Sequence, residues 1–150
     1  MNAFVAAGAG FLLAVLWFDL MFDVQARGRS DGGLVPEPAL ASIAAYYARV
    51  TTAARPMNRL IATVMLATLA AIATEIARGD GPAWMPWASL ALAASGIGLA
   101  GARTVPAAVR LGARGDDVSI QSALARRILA EHLFCLAAIS CLIGVQLGWG

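Results

Sequence analysis

From Met1 to Phe18 the chain carries no charged side chain; two aspartates, Asp19 and Asp23, then follow within Trp17-Phe18-Asp19-Leu20-Met21-Phe22-Asp23-Val24-Gln25. A spacing of four puts both carboxylates on one face of a helix. A charge in an apolar span costs about 2.5–3.5 kcal/mol at mid-bilayer if left alone. Whatever packs against this segment must therefore bring partners for two acids.

The rest of the chain is apolar enough for that setting to be a bilayer. It is 60% hydrophobic and 13% charged, with a mean hydropathy of +0.74, against about 45–50% and about 25% in soluble domains. A crossing needs about 20 apolar residues. Four segments qualify, at about 3–24, 57–76, 87–109 and 122–147. The first has no basic residues before it, unlike a cleaved secretory signal, and is expected to be a permanent span.

Gln25 to Pro38 is polar and rich in Gly and Pro, which marks a loop. Ala39 to Ala54 has helical periodicity, with Leu40, Ile43, Ala44, Tyr47 and Val50 on one face. Fused to the second span it would be some 60 Å long, twice the bilayer core. It is expected to lie at the interface, with Tyr46 and Tyr47 at headgroup level and Pro56 at the turn into the membrane. Arg78-Gly79-Asp80-Gly81-Pro82 forms a tight turn and Gly112 to Asp117 a short polar loop. The predicted fold is all-α: a single-domain, integral-membrane, antiparallel four-helix bundle with an interfacial helix before the second span.

All eleven basic residues are Arg. Arg27, Arg29, Arg49, Arg55 and Arg59 flank the first loop, and Arg103, Arg110, Arg114, Arg126 and Arg127 the third. Arg78 in the middle turn is cancelled by Asp80. The positive-inside rule then places both termini outside and the two Arg-rich loops in the cytoplasm of an inner (plasma) membrane. Trp84, Trp87 and Trp149 fall at the outer interface under the same topology. No basic patch is interleaved with aromatics, so nucleic acid is not an expected partner. Cys135 and Cys141 are six apart, roughly 240° around a helix, which rules out a disulfide between them. Ala94, Gly98 and Ala102 form a small-residue ladder suited to helix contact, as do Ala7, Gly8 and Gly10. Gly96 to Gly101 matches G-x-G-x-x-G, but no strand precedes it and it lies mid-span, so it is not a dinucleotide site.

In this topology Asp19, Asp23, Asn58, Arg59, Arg103, Glu131 and His132 share the cytoplasmic half, and Glu75 alone sits near the outer end, within reach of headgroups. Glu131 and His132 stand some ten residues up the fourth span, roughly 15 Å from its start. The natural pairs are Arg59 with Asp19 or Asp23, and Arg103 or Arg127 with Glu131. Those seven residues are the candidate ligand-binding set, forming either a helix lock or a polar cavity for a small amphiphilic molecule. Glu131 and His132 are about 100° apart on their helix and do not suit a shared ion, so no metal site is assigned; the cofactor is left open. A proton or ion path through Asp19, Asp23 and His132 lacks a carboxylate to continue it in the outer half.

The layout resembles the anthrone-oxygenase-like family of small membrane proteins. In that family the third span closes with Pro-x-Asn-x-x-Leu and the fourth carries a His followed by an Arg. The corresponding residues are Pro106-Ala107-Ala108-Val109-Arg110-Leu111, with Ala108 at the Asn position, and His132-Leu133-Phe134-Cys135, with Cys135 at the Arg position. The resemblance implies the four-span fold and an oxygenase-type activity.

The sequence thus points to a small membrane protein with a polar pocket, acting as a homo-oligomer or as a subunit of a membrane complex. One alternative is an oxidoreductase acting on a polycyclic or quinone-like substrate, with His132 as catalytic base and Arg59 or Arg103 holding an oxyanion. Another is a small transporter or channel.

Overall fold

The computed structural model describes residues 2–79 and 81–149, the side chains of Asn2, Asp31 and Arg55 excepted. The expected cancellation of Arg78 by Asp80, and the side chain of Arg55, lie outside the described residues.

The described residues form six α-helices: α1 (Asn2–Asp23), α2 (Glu37–Ala48), α3 (Arg55–Arg78), α4 (Trp84–Leu99), α5 (Val105–Ala113) and α6 (Val118–Trp149). Among the described residues there is no strand. Four segments are long and apolar enough to cross a membrane: Ala3–Arg27, Pro56–Arg78, Trp84–Ala113 and Val118–Trp149. They pack in a ring in which α1 touches α3 and α6, and α4 touches α3 and α6. Each of these neighbours is antiparallel, so the fold is an all-α, four-span bundle.

Two prolines explain the two interruptions. Pro56 and Pro106 cannot donate to the carbonyls of Thr52 and Ala102, four residues back. In both places the preceding turn widens to a π-helical turn, over Arg49–Ala53 and Ala100–Thr104. π-Turns of this kind are often found at functional sites. The first separates α2 from α3, as expected for a helix that does not simply extend the second span. The second joins α4 to α5.

α2 does not stand apart from the bundle. Leu40, Ile43, Ala44 and Tyr47 are buried, and they pack with Ala107, Ala108 and Leu111 of α5 and with Leu124, Ala125 and Ile128 of α6. The apolar face marked out by the periodicity is covered by protein. At about 48 Å, α6 exceeds the roughly 30 Å hydrocarbon core, and its first turns carry this packing. Close approach fixes the arrangement: a Cβ on Gly112 would lie 2.8 Å from the backbone N of Ala48. A second apolar cluster, including Val5, Ala9, Leu12, Ile72, Ala93, Ile139 and Leu142, fills the other half of the bundle.

Of the small-residue ladders, Gly8 of α1 does make a helix contact, since a Cβ there would lie 2.2 Å from Thr68 Oγ1 of α3. Ala94, Gly98 and Ala102 do not serve this role inside the chain; all three are exposed on the outer face.

The Arg-rich end is closed by specific bonds. Arg126 donates to the carbonyls of Ala26 and Gly33, Val35 N donates to Ser122 Oγ, and Arg114 pairs with Glu37. Arg110 donates twice to Asp116, at 2.7 and 2.8 Å, and these bonds hold the Asp116 carboxyl below its ordinary range. A depressed carboxylate stabilises the fold above its unfolded-state value, and that contribution is lost as pH falls through the folded-state value. Arg110 is exposed and Asp116 lies at the surface, partly covered, so screening keeps the effect small. Asp116→Asn should leave the melting temperature at neutral pH nearly unchanged while slightly flattening its decline in acid, as followed by thermal unfolding in detergent.

Candidate functional site

The two acids find partners, but not the predicted ones. Asp19 accepts from the Tyr46 hydroxyl at 2.6 Å. Asp23, fully buried, accepts from the Tyr47 hydroxyl at 2.7 Å and from His132 Nδ1 at 2.6 Å. His132 Nε2 stands 4.0 Å from Asp19 Oδ2. One network therefore ties α1, α2 and α6 together. Burial, reinforced by the neighbouring carboxylates, pushes both phenols well above the ordinary tyrosine range, so both stay protonated donors. The rings stack as well, with Phe22 and Tyr46 centroids 4.1 Å apart.

Arg59 is a correction. It is exposed and makes no ion pair among the described residues. The tyrosines of α2 satisfy the aspartates in its place. A phenol is a cheaper partner than a guanidinium here, because it brings a donor without a second charge to desolvate.

Arg103 and Glu131 form a separate cluster, since Glu131 and His132 point to different sides of α6. Glu131 accepts from Thr104 Oγ1 at 2.8 Å and pairs with Arg127 at 2.8 Å and Arg103 at 3.3 Å. Both expected Arg partners are present. The bond to Thr104 fastens the π-turn Ala100–Thr104 to α6. The seven polar residues thus divide between two clusters, Asn58 bonded to Thr51 and an exposed Arg59, rather than forming one pocket.

Above the His132 network lies a cavity of about 610 Å³, within the size range of small-molecule sites. Leu12 and Leu16 of α1, Ile61 and Met65 of α3, Ile97 of α4 and Ile139 of α6 form its apolar wall. Its polar lining is Asp19, Tyr46, Tyr47, Thr51, Asn58, Thr104 and His132. Phe18, Met57, Val105 and Val109, all exposed, lie along its rim. Both π-turns border it, through Val50 and Thr51 and through Ala100 and Thr104. Asn58 Nδ2 donates to Thr51 O at 3.1 Å, bracing the first π-turn.

Of the predicted residues, Asp19, Asn58 and His132 line the cavity and Asp23 sits directly behind His132; Arg59, Arg103 and Glu131 do not line it. Tyr46, Tyr47, Thr51 and Thr104 are the lining groups that sequence reasoning missed. The adjacent tyrosines on a helix next to two unpartnered acids were the available signal. Cys135 is buried against Gly96, whose carbonyl accepts from Sγ at 3.5 Å, and Cys141 is exposed; both are free thiols. Among the described residues no group of three or more His, Cys, Asp or Glu side chains is arranged to hold a metal ion.

The chemistry available is that of an oriented imidazole. With the ring neutral, the bond to Asp23 puts the proton on Nδ1 and leaves Nε2 as an acceptor on the cavity side. An acid behind a histidine in this way fixes the orientation of the ring. Searches among protein-family models, curated proteins and solved structures gave no match to this chain.

Proposed function

We propose that this chain is a small inner-membrane protein whose cavity binds an amphiphile with an apolar ring or chain and a hydrogen-bond-donating head. The observation that carries the reading is the cavity floor: His132, oriented by Asp23, beside Asp19 at the end of an apolar chamber. An anionic head would meet the Asp19 carboxylate, whereas a hydroxyl, phenol or amine meets an acceptor there. The Arg-rich loops favour a cytoplasmic position for this half of the bundle, with both termini outside. The outward ladder of Ala94, Gly98 and Ala102 supports assembly with a second copy or a partner subunit.

The test is native mass spectrometry on protein extracted in mild detergent, with an alkylphenol added as probe. The parent should retain the phenol. Ala100→Trp, which fills the cavity, should abolish retention. His132→Ala, which removes one hydrogen bond to the head, should weaken retention about tenfold or more. Equal retention by the parent and Ala100→Trp would contradict the reading.

The oriented imidazole favours one second reading, an oxidoreductase of the anthrone-oxygenase-like kind. There His132 Nε2 would take a proton from a phenolic or quinol-like substrate. Arg59 and Arg103 do not line the cavity, and the single protons of the Tyr46 and Tyr47 hydroxyls are given to Asp19 and Asp23, so the oxyanion role considered for the arginines falls to none of these four residues. Turnover of a polycyclic phenol that is lost in His132→Ala, with the fold intact, would separate catalysis from binding.

A further inference from the structure

The opposite half of the bundle holds a second polar site. Glu75 was expected to reach the headgroups; instead it is fully buried, one turn before the end of α3. Gln146 of α6 donates through Nε2 to Glu75 Oε2 at 3.1 Å and to Ser89 Oγ of α4 at 2.9 Å. Gln146 and Ser89 are themselves buried, at 1% and 0% exposure. The cluster crosses the bundle axis from α3 to α6 and lies beneath the edge-to-face pair Trp84–Trp149.

Two features of this cluster stand out. The first is charge. α1 has no ionisable side chain before Asp19, α4 has none across Trp84–Leu99, and α6 has only Cys135 and Cys141 after His132. On α3 the flanking charges are Arg59, sixteen residues back, and Arg78, which is exposed. Thus no protein cation lies against the carboxylate among the described residues, and a buried anion without one is strongly disfavoured. The second is hydrogen bonding. Glu75 Oε1 and Gln146 Oε1 are both buried acceptors without a donor. Two orphaned oxygens beside an uncompensated carboxylate call for a small positive guest.

We propose that Glu75, Gln146 and Ser89 form a site for one small monovalent cation, H⁺ or Na⁺, in the half of the bundle opposite the cavity. The guest neutralises Glu75 and uses the two spare oxygens. The site is separate from the His132 network. Between them Ile139 and Leu142 of α6 are packed in the second apolar cluster, and His132 and Gln146 are 14 residues apart, about 21 Å along the helix. No polar chain bridges that layer among the described residues, so the inference is a binding site rather than a conducting path.

Dicyclohexylcarbodiimide, an apolar reagent that adds to protonated carboxyls, tests this on the purified full-length protein. Peptide mapping reports Glu75 modification separately from that of Asp19 and Asp23. Labelling of Glu75 that slows as Na⁺ is added identifies a Na⁺ site. Labelling indifferent to Na⁺ but slowed at alkaline pH identifies a proton site. Either outcome should come with a Na⁺- or pH-dependent shift in melting temperature that Glu75→Gln removes. Labelling that is absent from acid to alkaline pH, with melting equally unresponsive in parent and Glu75→Gln, overturns the proposal. Loss of phenol binding in the cavity would bear on the earlier reading and not on this one.

Discussion

Asp23→Ala should destabilise the detergent-purified protein by about 3–5 kcal/mol, the range for removing one partner from a buried charged pair. Asp23 is fully buried and is the single group that both Tyr47 and His132 bond to. Its loss leaves a phenol and an imidazole facing each other at 3.5 Å, a long and poor contact. By contrast Arg59→Ala should fall within about 0.5 kcal/mol of the parent, because Arg59 is exposed. Denaturant titration followed by circular dichroism measures both. Were Arg59→Ala the more damaging of the two, the guanidinium and not the phenol would be the partner of the acids.

The second large effect is expected from a residue remote from the cavity. Gly112→Val must push α5 away from α2, since a Cβ at that position meets the backbone of Ala48 and Tyr47 at 2.8–3.2 Å. Overpacking of this kind costs about 1–3 kcal/mol. The displacement falls on the helix that carries Tyr46 and Tyr47, so the network with Asp19 and Asp23 should loosen as well. Retention of an alkylphenol should therefore drop together with stability, although Gly112 does not itself line the cavity. A Gly112→Val variant that is as stable as the parent and binds equally well would show that α2 is not held by α5.

The four spans were legible because lipid imposes long apolar runs and leaves little freedom in their length. The need to satisfy Asp19 and Asp23 was equally legible, as was the clustering of Glu131 with Arg103 and Arg127, which follows from helical spacing and charge. What the sequence hid was the choice of partner for each acid. Charge matching pointed Asp19 and Asp23 to Arg59, 13 and 12 residues along the chain from the tyrosines, Tyr46 and Tyr47, that take its place. Tyr46 and Tyr47 read equally well as headgroup anchors. Only the folding of α2 onto α5 and α6 brings them to the acids, and that packing depends on a glycine contact that periodicity does not register. Glu75 was misplaced for a related reason. Its distance from the helix end is compatible with the interface, and its inward direction is decided by Ser89 and Gln146, 14 and 71 residues further along the chain.

The account rests on His132 and Asp23 being direct partners across α1 and α6, and a double-mutant cycle addresses that contact most directly. Unfolding free energies of the parent, Asp23→Ala, His132→Ala and the double variant should give a coupling of about 1–3 kcal/mol, with the double variant far less damaged than the sum of the two singles. Effects that add to within about 0.5 kcal/mol would mean the two side chains do not meet, and the floor of the cavity described here would not exist.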